Sequence, residues 1–208
     1  MGSYYLGLDP SLSAFGIAVI DTRKQEVILD QIRADDHHDF IMMSWSISNL
    51  WNEFINVYLP YVDNEEAYVA QEAPIASGIN SGKLNALGYK FYEGCGSFSS
   101  YERIRTYQPI KLKQFHIKRG IKKYTKWDTI SVVEKILDLM KERGYTILIR
   151  KSRTKKSLSL TDGEADAFMY AIRTYMDKRP DSLLTKEVLD LFPTFSLIRS
   201  IEEIKYER

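Results

Sequence analysis

Two short apolar segments near the start of the chain constrain its fold more than any other feature. Residues 4–9 (Tyr-Tyr-Leu-Gly-Leu-Asp) and 16–21 (Gly-Ile-Ala-Val-Ile-Asp) carry the aromatic and β-branched side chains that favour strands. A short Ser-rich turn separates them, and connections this short join antiparallel strands. Residues 26–33 have the same character. We therefore predict that three antiparallel strands open the fold.

The remainder of the chain predicts helices that alternate with further strands. Apolar residues recur at spacings of three and four between Phe40 and Val57, which indicates an amphipathic helix that ends near Pro60. The next segments are a strand at 67–72, a helix at about 81–100, a strand at 103–107, a helix around 130–140, a candidate extra strand at 145–150, a helix at 162–177 and a last helical element within 183–206. This order predicts the α/β class, with a mixed five-stranded sheet (three antiparallel strands, then parallel additions) flanked by helices.

Length and composition are those of a globular protein. A chain of 208 residues with 44% hydrophobic residues suffices for one domain, which we assign to residues 1–180, with 181–208 as its C-terminal helical extension. Cys95 is the single cysteine, so it has no internal disulfide partner, which fits a reducing compartment. We see neither an apolar run of about 18 residues nor a signal peptide. These features predict an intracellular, cytoplasmic protein that has no membrane partner.

The net charge of +1 conceals a strong asymmetry along the chain. Residues 103–156 hold 17 of the 29 Lys and Arg residues but only 4 of the 28 acidic residues, so this segment carries +13 and the remainder −12. Basic residues that merely solvate helix faces are one explanation. An imbalance of this size favours the other explanation, a surface that binds a polyanion such as nucleic acid.

Four carboxylates are placed where one cluster could form. Asp9 and Glu72 each end a predicted strand, and Asp162 and Asp166 are four apart, which puts them on one face of a helix. Two carboxylates about 4 Å apart repel by about 4 kcal/mol at an effective dielectric near 20, so such a cluster requires cations. Oxygen ligands suit Mg²⁺, and two such ions can activate water against a phosphodiester. The acids thus indicate a metal-dependent nuclease.

Each acid also has a structural explanation when it is taken alone. Acids in the first turn of a helix interact favourably with the helix dipole, which accounts for Asp162 and Glu164 better than for Asp166. Thr161 and Glu164 have the spacing of a capping box. Asp9 can be an ordinary strand-end residue before Pro10. The sequence contexts taken together favour the cluster.

Several segments form a series whose order and spacing are informative. They are Leu6-Gly7-Leu8-Asp9-Pro10-Ser11, Phe15-Gly16-Ile17-Ala18-Val19-Ile20, Gln71-Glu72-Ala73-Pro74 followed by Asn80, Leu84 and Leu87-Gly88, the basic stretches at 107–113 and 122–128, and Asp162-Gly163-Glu164-Ala165-Asp166-Ala167. In this order they resemble the RuvC-type Holliday junction resolvases, over about residues 4–176. The resemblance implies an RNase H-like fold.

The resemblance also implies a set of site residues. Asp9, Glu72, Asp162 and Asp166 match the catalytic metal ligands, and Lys126 matches a catalytic lysine near the scissile phosphate. The residues implied to bind DNA are Lys111, Lys113, Lys118, Arg119, Lys122, Lys123 and Lys126. The implied cofactor is two Mg²⁺ ions per active site, for which Mn²⁺ substitutes, with no small-molecule cofactor.

The activity that the resemblance implies is that of a Mg²⁺-dependent endodeoxyribonuclease. Such an enzyme resolves four-way junctions by symmetric phosphodiester hydrolysis, and two symmetric cuts require a homodimer. The small residues of the helix at 81–100 are predicted to form part of the dimer interface. The substrate is branched DNA, and the sequence leaves open whether this is nucleoid, viral or organelle DNA.

Two positions depart from the family pattern. Bacterial members space the helix acids by three, whereas Asp162 and Asp166 are spaced by four, as in fungal mitochondrial and poxviral resolvases. Glu164 is therefore a rival ligand, although it lies on another helix face. The aromatic residue that stacks on bases at the junction centre in the family is Ile75 here, so other residues must open the junction. Trp127 is a candidate for base stacking and equally for packing.

Three other functions remain open at this stage. One is an RNase H-like nuclease that acts on an RNA–DNA hybrid or on other branched DNA. Another is a junction-binding protein without catalysis. The third is an actin-like or sugar-kinase-like ATPase, whose first hairpin also has an Asp before a Ser- and Gly-rich turn but which needs two such domains.

Overall fold

The computed structural model describes residues 3–11, 14–33, 40–58, 67–72, 82–83, 85–89, 103–107, 125–150 and 158–193. Within them the strands are β1 Tyr4–Asp9, β2 Phe15–Asp21, β3 Glu26–Ile32, β4 Ala67–Glu72, β5 Ile104–Tyr107 and β6 Thr146–Ile149. The helices are α1 Phe40–Tyr58, α2 Lys126–Glu142, α3 Asp162–Lys178 and α4 Leu183–Leu191. Residues 82–83 and 85–89 are also helical.

All six strands form one mixed sheet in the order β5-β4-β1-β2-β3-β6. The first three strands pair antiparallel, as predicted. β4 is parallel to β1, β5 is parallel to β4, and β6 is parallel to β3. Because β2 alone runs in the opposite direction, the carboxyl ends of the other five strands lie along one edge. We call this edge the carboxyl edge of the sheet, and its opposite the amino edge.

The prediction of five strands is wrong by one, because residues 146–149 join the sheet as β6. Gly144 ends α2 with a φ of 87°, a left-handed conformation that glycine adopts without strain. The Gly144 and Tyr145 N–H groups donate to the Lys141 and Met140 carbonyls, at 2.9 and 3.0 Å, in the pattern of a Schellman motif. This turn returns the chain beside β3, with Val27 opposite Ile147.

The sheet has an apolar core on each face. Alternate residues of β1 divide between the two cores: Tyr5 packs with α2, α3 and α4, whereas Leu6 and Leu8 pack with α1. α3 is buried along almost its whole length, as far as Met176. Strand alternation and helix periodicity therefore both act as the sequence predicted, with α3 as the central helix of the larger core.

Two glycines allow α3 to lie directly on the strands. A Cβ atom added to Gly7 of β1 would stand 1.8 Å from the Ala167 carbonyl oxygen, and one added to Gly16 of β2 would stand 2.0 Å from the Gly163 carbonyl oxygen. No side chain fits in these spaces, so the backbones of helix and sheet are in contact. This contact sets the height of the first turns of α3 above β1 and β2.

The predicted helices are confirmed where the structure describes them. On α1, Met43 and Ile47 are buried as their spacing predicted, and Trp51 joins the same core. The predicted helix at 81–100 is helical at 82–83 and 85–89, and its remainder lies outside the described residues. Within 183–206, α4 packs Leu184 and Val188 into the larger core. No helix in the described part of the chain is long and apolar enough to cross a membrane.

Candidate active site

Asp9 and Glu72 lie side by side at the carboxyl edge. Leu8 of β1 pairs with Gln71 of the parallel β4, so the next residue of each strand is one of the two acids. Neighbouring strands are about 4.8 Å apart, which brings their backbones close together. Asp9 alternates with Gly7, and Glu72 with Ala70, so both acids project from the face that α3 covers. Both are partly buried.

α3 begins at the same edge and adds the other two predicted acids. The Oδ2 atom of Asp9 lies 3.6 Å from the position that a Cβ on Gly163 would occupy, so the carboxylate rests against the first turn of the helix. Asp162 is the first residue of α3 and is exposed, and Asp166 is one turn further and partly buried. Glycine at position 163 has a physical reason, since a Cβ there would stand only 3.3 Å from the side-chain nitrogen of Gln31.

The charges of three of the acids act on one buried tyrosine. Burial raises the pKa of the Tyr170 hydroxyl well above its usual value, and the charges of Asp9, Glu72 and Asp166 raise it further. Tyr170 lies one helical turn after Asp166 on α3. The sequence did not single out this tyrosine as a site residue.

The predicted capping box of α3 is confirmed, and it decides the role of Glu164. The Glu164 carboxylate accepts hydrogen bonds from the Thr161 backbone N–H at 2.8 Å and from the Thr161 hydroxyl at 2.9 Å. Glu164 is fully buried beneath the first turn. Its carboxylate is part of the N-terminal cap of α3. We therefore do not assign Glu164 the metal-ligand role that is predicted for Asp162 and Asp166.

Gln31 ties this helix end to the sheet. Its side-chain amide donates to the Thr161 hydroxyl at 3.1 Å, and its amide oxygen accepts from Arg33 Nε at 3.3 Å. Gln31 is buried at the end of β3, where its alternation with Leu29 turns it toward α3. The sequence offered no sign of this tether, because the two residues are 130 positions apart.

We expect Thr161→Ala to lower the free energy of unfolding by about 1 kcal/mol, the usual effect of removing a helix cap, and also to lower the metal-dependent cleavage that the sequence predicts. The activity should fall because the cap holds the first turn of α3 against Gln31. Chemical denaturation and a cleavage assay measure the two effects. Ser182→Ala is the matched control, since Ser182 caps α4 through the Thr185 N–H at 3.1 Å, at the amino edge. A similar loss of activity in both variants would contradict the prediction.

The four predicted donors suit a hard divalent cation in kind, since all are carboxylate oxygens, which Mg²⁺ and Mn²⁺ prefer. Across the described ranges, no three His, Cys, Asp or Glu side chains are gathered closely enough to hold an ion. The metal-ligand role of these acids therefore stays a prediction.

The described residues on either side of the stretch 108–124, which we call the basic segment, lie at this edge. Tyr107, which precedes it, is the register partner of Glu72 at the carboxyl end of β5. Thr125, which follows it, is the N-cap residue of α2. α2 begins at the carboxyl edge, because its other end leads through Gly144 to the start of β6, beside Glu26.

Most of the predicted DNA-binding side chains fall outside the described residues. These are Lys111, Lys113, Lys118, Arg119, Lys122 and Lys123. Lys126 is the first residue of α2, and its side chain is also outside the described part. Its neighbour Trp127 is 67% exposed, and both base stacking and packing stay predictions for this tryptophan.

The overall fold of the chain is similar to that of solved structures whose sequences differ widely from this one. T. thermophilus RuvC in complex with Holliday junction substrate is 14% identical with a TM-score of 0.50, covering 96% of this chain and 99% of that one. The chain has the RNase H-like fold of RuvC. At this identity the likeness establishes the fold alone, which confirms the predicted fold class apart from the strand count.

Two further structures are similar at lower TM-scores. Thermus thermophilus RuvC is 13% identical with a TM-score of 0.48, covering 95% of this chain and 99% of that chain. The human cytomegalovirus terminase nuclease domain is 15% identical with a TM-score of 0.44, covering 88% of this chain and 86% of that chain. No protein-family model and no curated protein sequence matches this chain.

Proposed function

We propose that this protein is a metal-dependent DNA endonuclease that resolves four-way junctions by symmetric phosphodiester hydrolysis. The observation that carries the proposal is the placement of Asp9 and Glu72 side by side at the carboxyl edge, where α3, the helix that bears Asp162 and Asp166, begins against Asp9, in a RuvC-like fold. The similar T. thermophilus RuvC structure is a complex with a Holliday junction substrate. The basic segment, whose flanking residues Tyr107 and Thr125 lie at the same edge, supports a nucleic-acid substrate.

Asp9, Glu72, Asp162 and Asp166 are the residues that would hold two divalent ions, Mg²⁺ or Mn²⁺. When bound, such ions activate water and stabilise the charge on the leaving oxygen of a phosphodiester. The backbones of Asp9, Glu72 and Asp166 belong to two strands and α3. Side-chain rotation is therefore the motion that would bring these carboxylates to a bound ion.

The surroundings of the acids suit a phosphate backbone. α2 and α3 both begin at the carboxyl edge, and the N-terminus of a helix favours a nearby anion. Lys126 begins α2 and would lie near the scissile phosphate, while the lysines and arginine of the basic segment would bind the flanking strands. A homodimer would present two such sites to the two symmetric strands of a junction.

The proposal is tested by cleavage of a labelled mobile four-way junction against matched duplex in the presence of Mg²⁺. We expect symmetric nicks in the junction from the wild type, and binding without nicks from Asp162→Asn, because the substitution removes a ligand charge but no phosphate contact. Equal cutting of plain duplex would reject the resolvase function, and cutting of an RNA–DNA hybrid without a junction would favour the other nuclease. Full cleavage activity of Asp162→Asn would show that Asp162 is not a metal ligand and only interacts favourably with the helix dipole.

A further inference from the structure

Two arginines lie along an outer strand of the sheet, outside the set of residues that the resemblance implied for DNA binding. β5 is the last strand on its side of the described sheet. Arg103, Arg105 and Tyr107 alternate with Ile104, which packs in the smaller core, so all three project from the face that α3 covers. Both arginines are half-buried, and they open the strongly basic segment 103–156.

Lys178 joins the two arginines from the last turn of α3, where it is exposed. Its Nζ atom lies 5.2 Å from the centre of the Tyr68 ring, and Arg103 Cζ lies 5.3 Å from the same centre. The Tyr68 ring stacks on the buried Tyr5 ring, with their centres 5.4 Å apart and 11° between the planes. One ring anchored in the core thus holds two cations beside each other. We call Arg103, Arg105 and Lys178 the edge strip.

The acid on the adjoining part of α3 is engaged in a separate network. Within β5 and the last two turns of α3, the one acidic residue is Asp177. Its carboxylate pairs with Arg173 at 2.7 Å and accepts a hydrogen bond from the Tyr107 hydroxyl at 2.9 Å. Because the pair of Arg173 and Asp177 is neutral as a unit, the edge strip leaves this part of the surface with a positive potential.

The edge strip continues from the candidate active site along the sheet. Tyr107 is the register partner of Glu72. Arg105 is two residues before Tyr107, about 7 Å along the strand, and Arg103 lies about 7 Å further toward the amino edge. A nucleic-acid strand carries one negative charge per about 3.4 Å of helix axis, so cations at this spacing reach different phosphates. The fork of N–H donors on an arginine matches the oxygens of a phosphate.

We propose that the edge strip binds the phosphate backbone of one arm of the DNA substrate, where that arm leaves the carboxylates and passes over β5. This inference rests on the proposed function, because it assumes that the scissile phosphate lies at the carboxyl edge. Contacts to phosphates carry no base sequence information, and they fix the register and orientation of the bound nucleic acid. The edge strip therefore adds affinity and orients the arm relative to the acids.

The test is the salt dependence of binding to a labelled four-way junction in EDTA, which separates binding from cleavage. On a plot of log affinity against log salt concentration, each phosphate contact contributes about 0.9 to the slope. We expect the slope to fall by about 1 for Arg105→Gln, and by about 2 to 3 when Arg103→Gln and Lys178→Gln are added. Arg105→Lys should keep the wild-type slope, because it keeps the charge.

Lys24→Gln is the matched control for the edge strip. Lys24 is an exposed lysine at the amino edge, in the turn between β2 and β3, and β4 and β1 separate these strands from β5. Its substitution removes one positive charge from the same edge, and we expect the wild-type slope. A slope that falls as much in Lys24→Gln as in Arg105→Gln would assign the effect to net charge and overturn the edge strip.

The outcomes separate this inference from the proposed function. A triple variant with the wild-type slope, alongside a wild type that nicks the junction, would overturn the edge strip and leave the proposed function intact. A lower melting temperature with an unchanged slope would assign the cations to packing on Tyr68, and would also overturn the edge strip. A wild type that neither binds nor cuts the junction would overturn both proposals.

Discussion

Asp166→Asn is expected to lower metal-dependent cleavage by roughly 10³-fold or more, because a divalent ion contributes several kcal/mol of transition-state stabilisation. In EDTA the same variant is expected to be as stable as the wild type or more stable. The substitution removes one of three negative charges that act on Tyr170, and so relieves repulsion that no divalent ion offsets in EDTA. Junction cleavage and thermal unfolding in EDTA measure the two effects.

The opposite signs of these effects distinguish a functional acid from a structural one. Replacing a carboxylate that stabilises the fold would instead lower the stability and the activity of the protein together. Asp138→Asn is the matched control, since Asp138 lies on an exposed face of α2 and pairs with Lys141 at 2.9 Å, and it should leave cleavage unchanged. A destabilised Asp166→Asn with activity lost in proportion would contradict the assignment of Asp166 to the site.

Gly7→Ala is expected to lower the free energy of unfolding strongly, although it adds a single methyl group. The added Cβ would stand 1.8 Å from the Ala167 carbonyl oxygen and 2.7 Å from the Ala171 nitrogen, which are backbone atoms that cannot rotate away. α3 must then move off the sheet. Overpacking of this kind costs about 3 kcal/mol or more, which corresponds to roughly a 10 °C lower melting temperature for a chain of this size.

Gly82→Ala provides the control for the Gly7 substitution. Residue 82 is helical, and a Cβ added there meets nothing within 4 Å among the described atoms. Alanine is the better helix former, so this variant should melt at the wild-type temperature or slightly above it. A Gly7→Ala protein that melts like Gly82→Ala would show that α3 does not rest on β1 through backbone contact.

Much of the fold was predictable because its signals are local. The strands β1 to β5, and the helices α1 and α3, are confirmed near the positions that apolar periodicity and turn residues predicted. The sixth strand was harder, because β6 has four residues at a sheet edge, where alternation is weak. The Thr161 capping box was predictable for the same reason as the helices, since its two residues are three positions apart.

The candidate site, like the fold, was predictable only where its signals are local. Local pattern was enough to predict that Asp9 and Glu72 end strands and that Asp162 and Asp166 share a helix face, because strand and helix periods place side chains over short distances. It took the packed structure to show that β1 and β4 are parallel neighbours and that Gln31 ties down α3. Those relations depend on contacts between residues up to 130 positions apart, and such contacts arise from packing rather than from any local period.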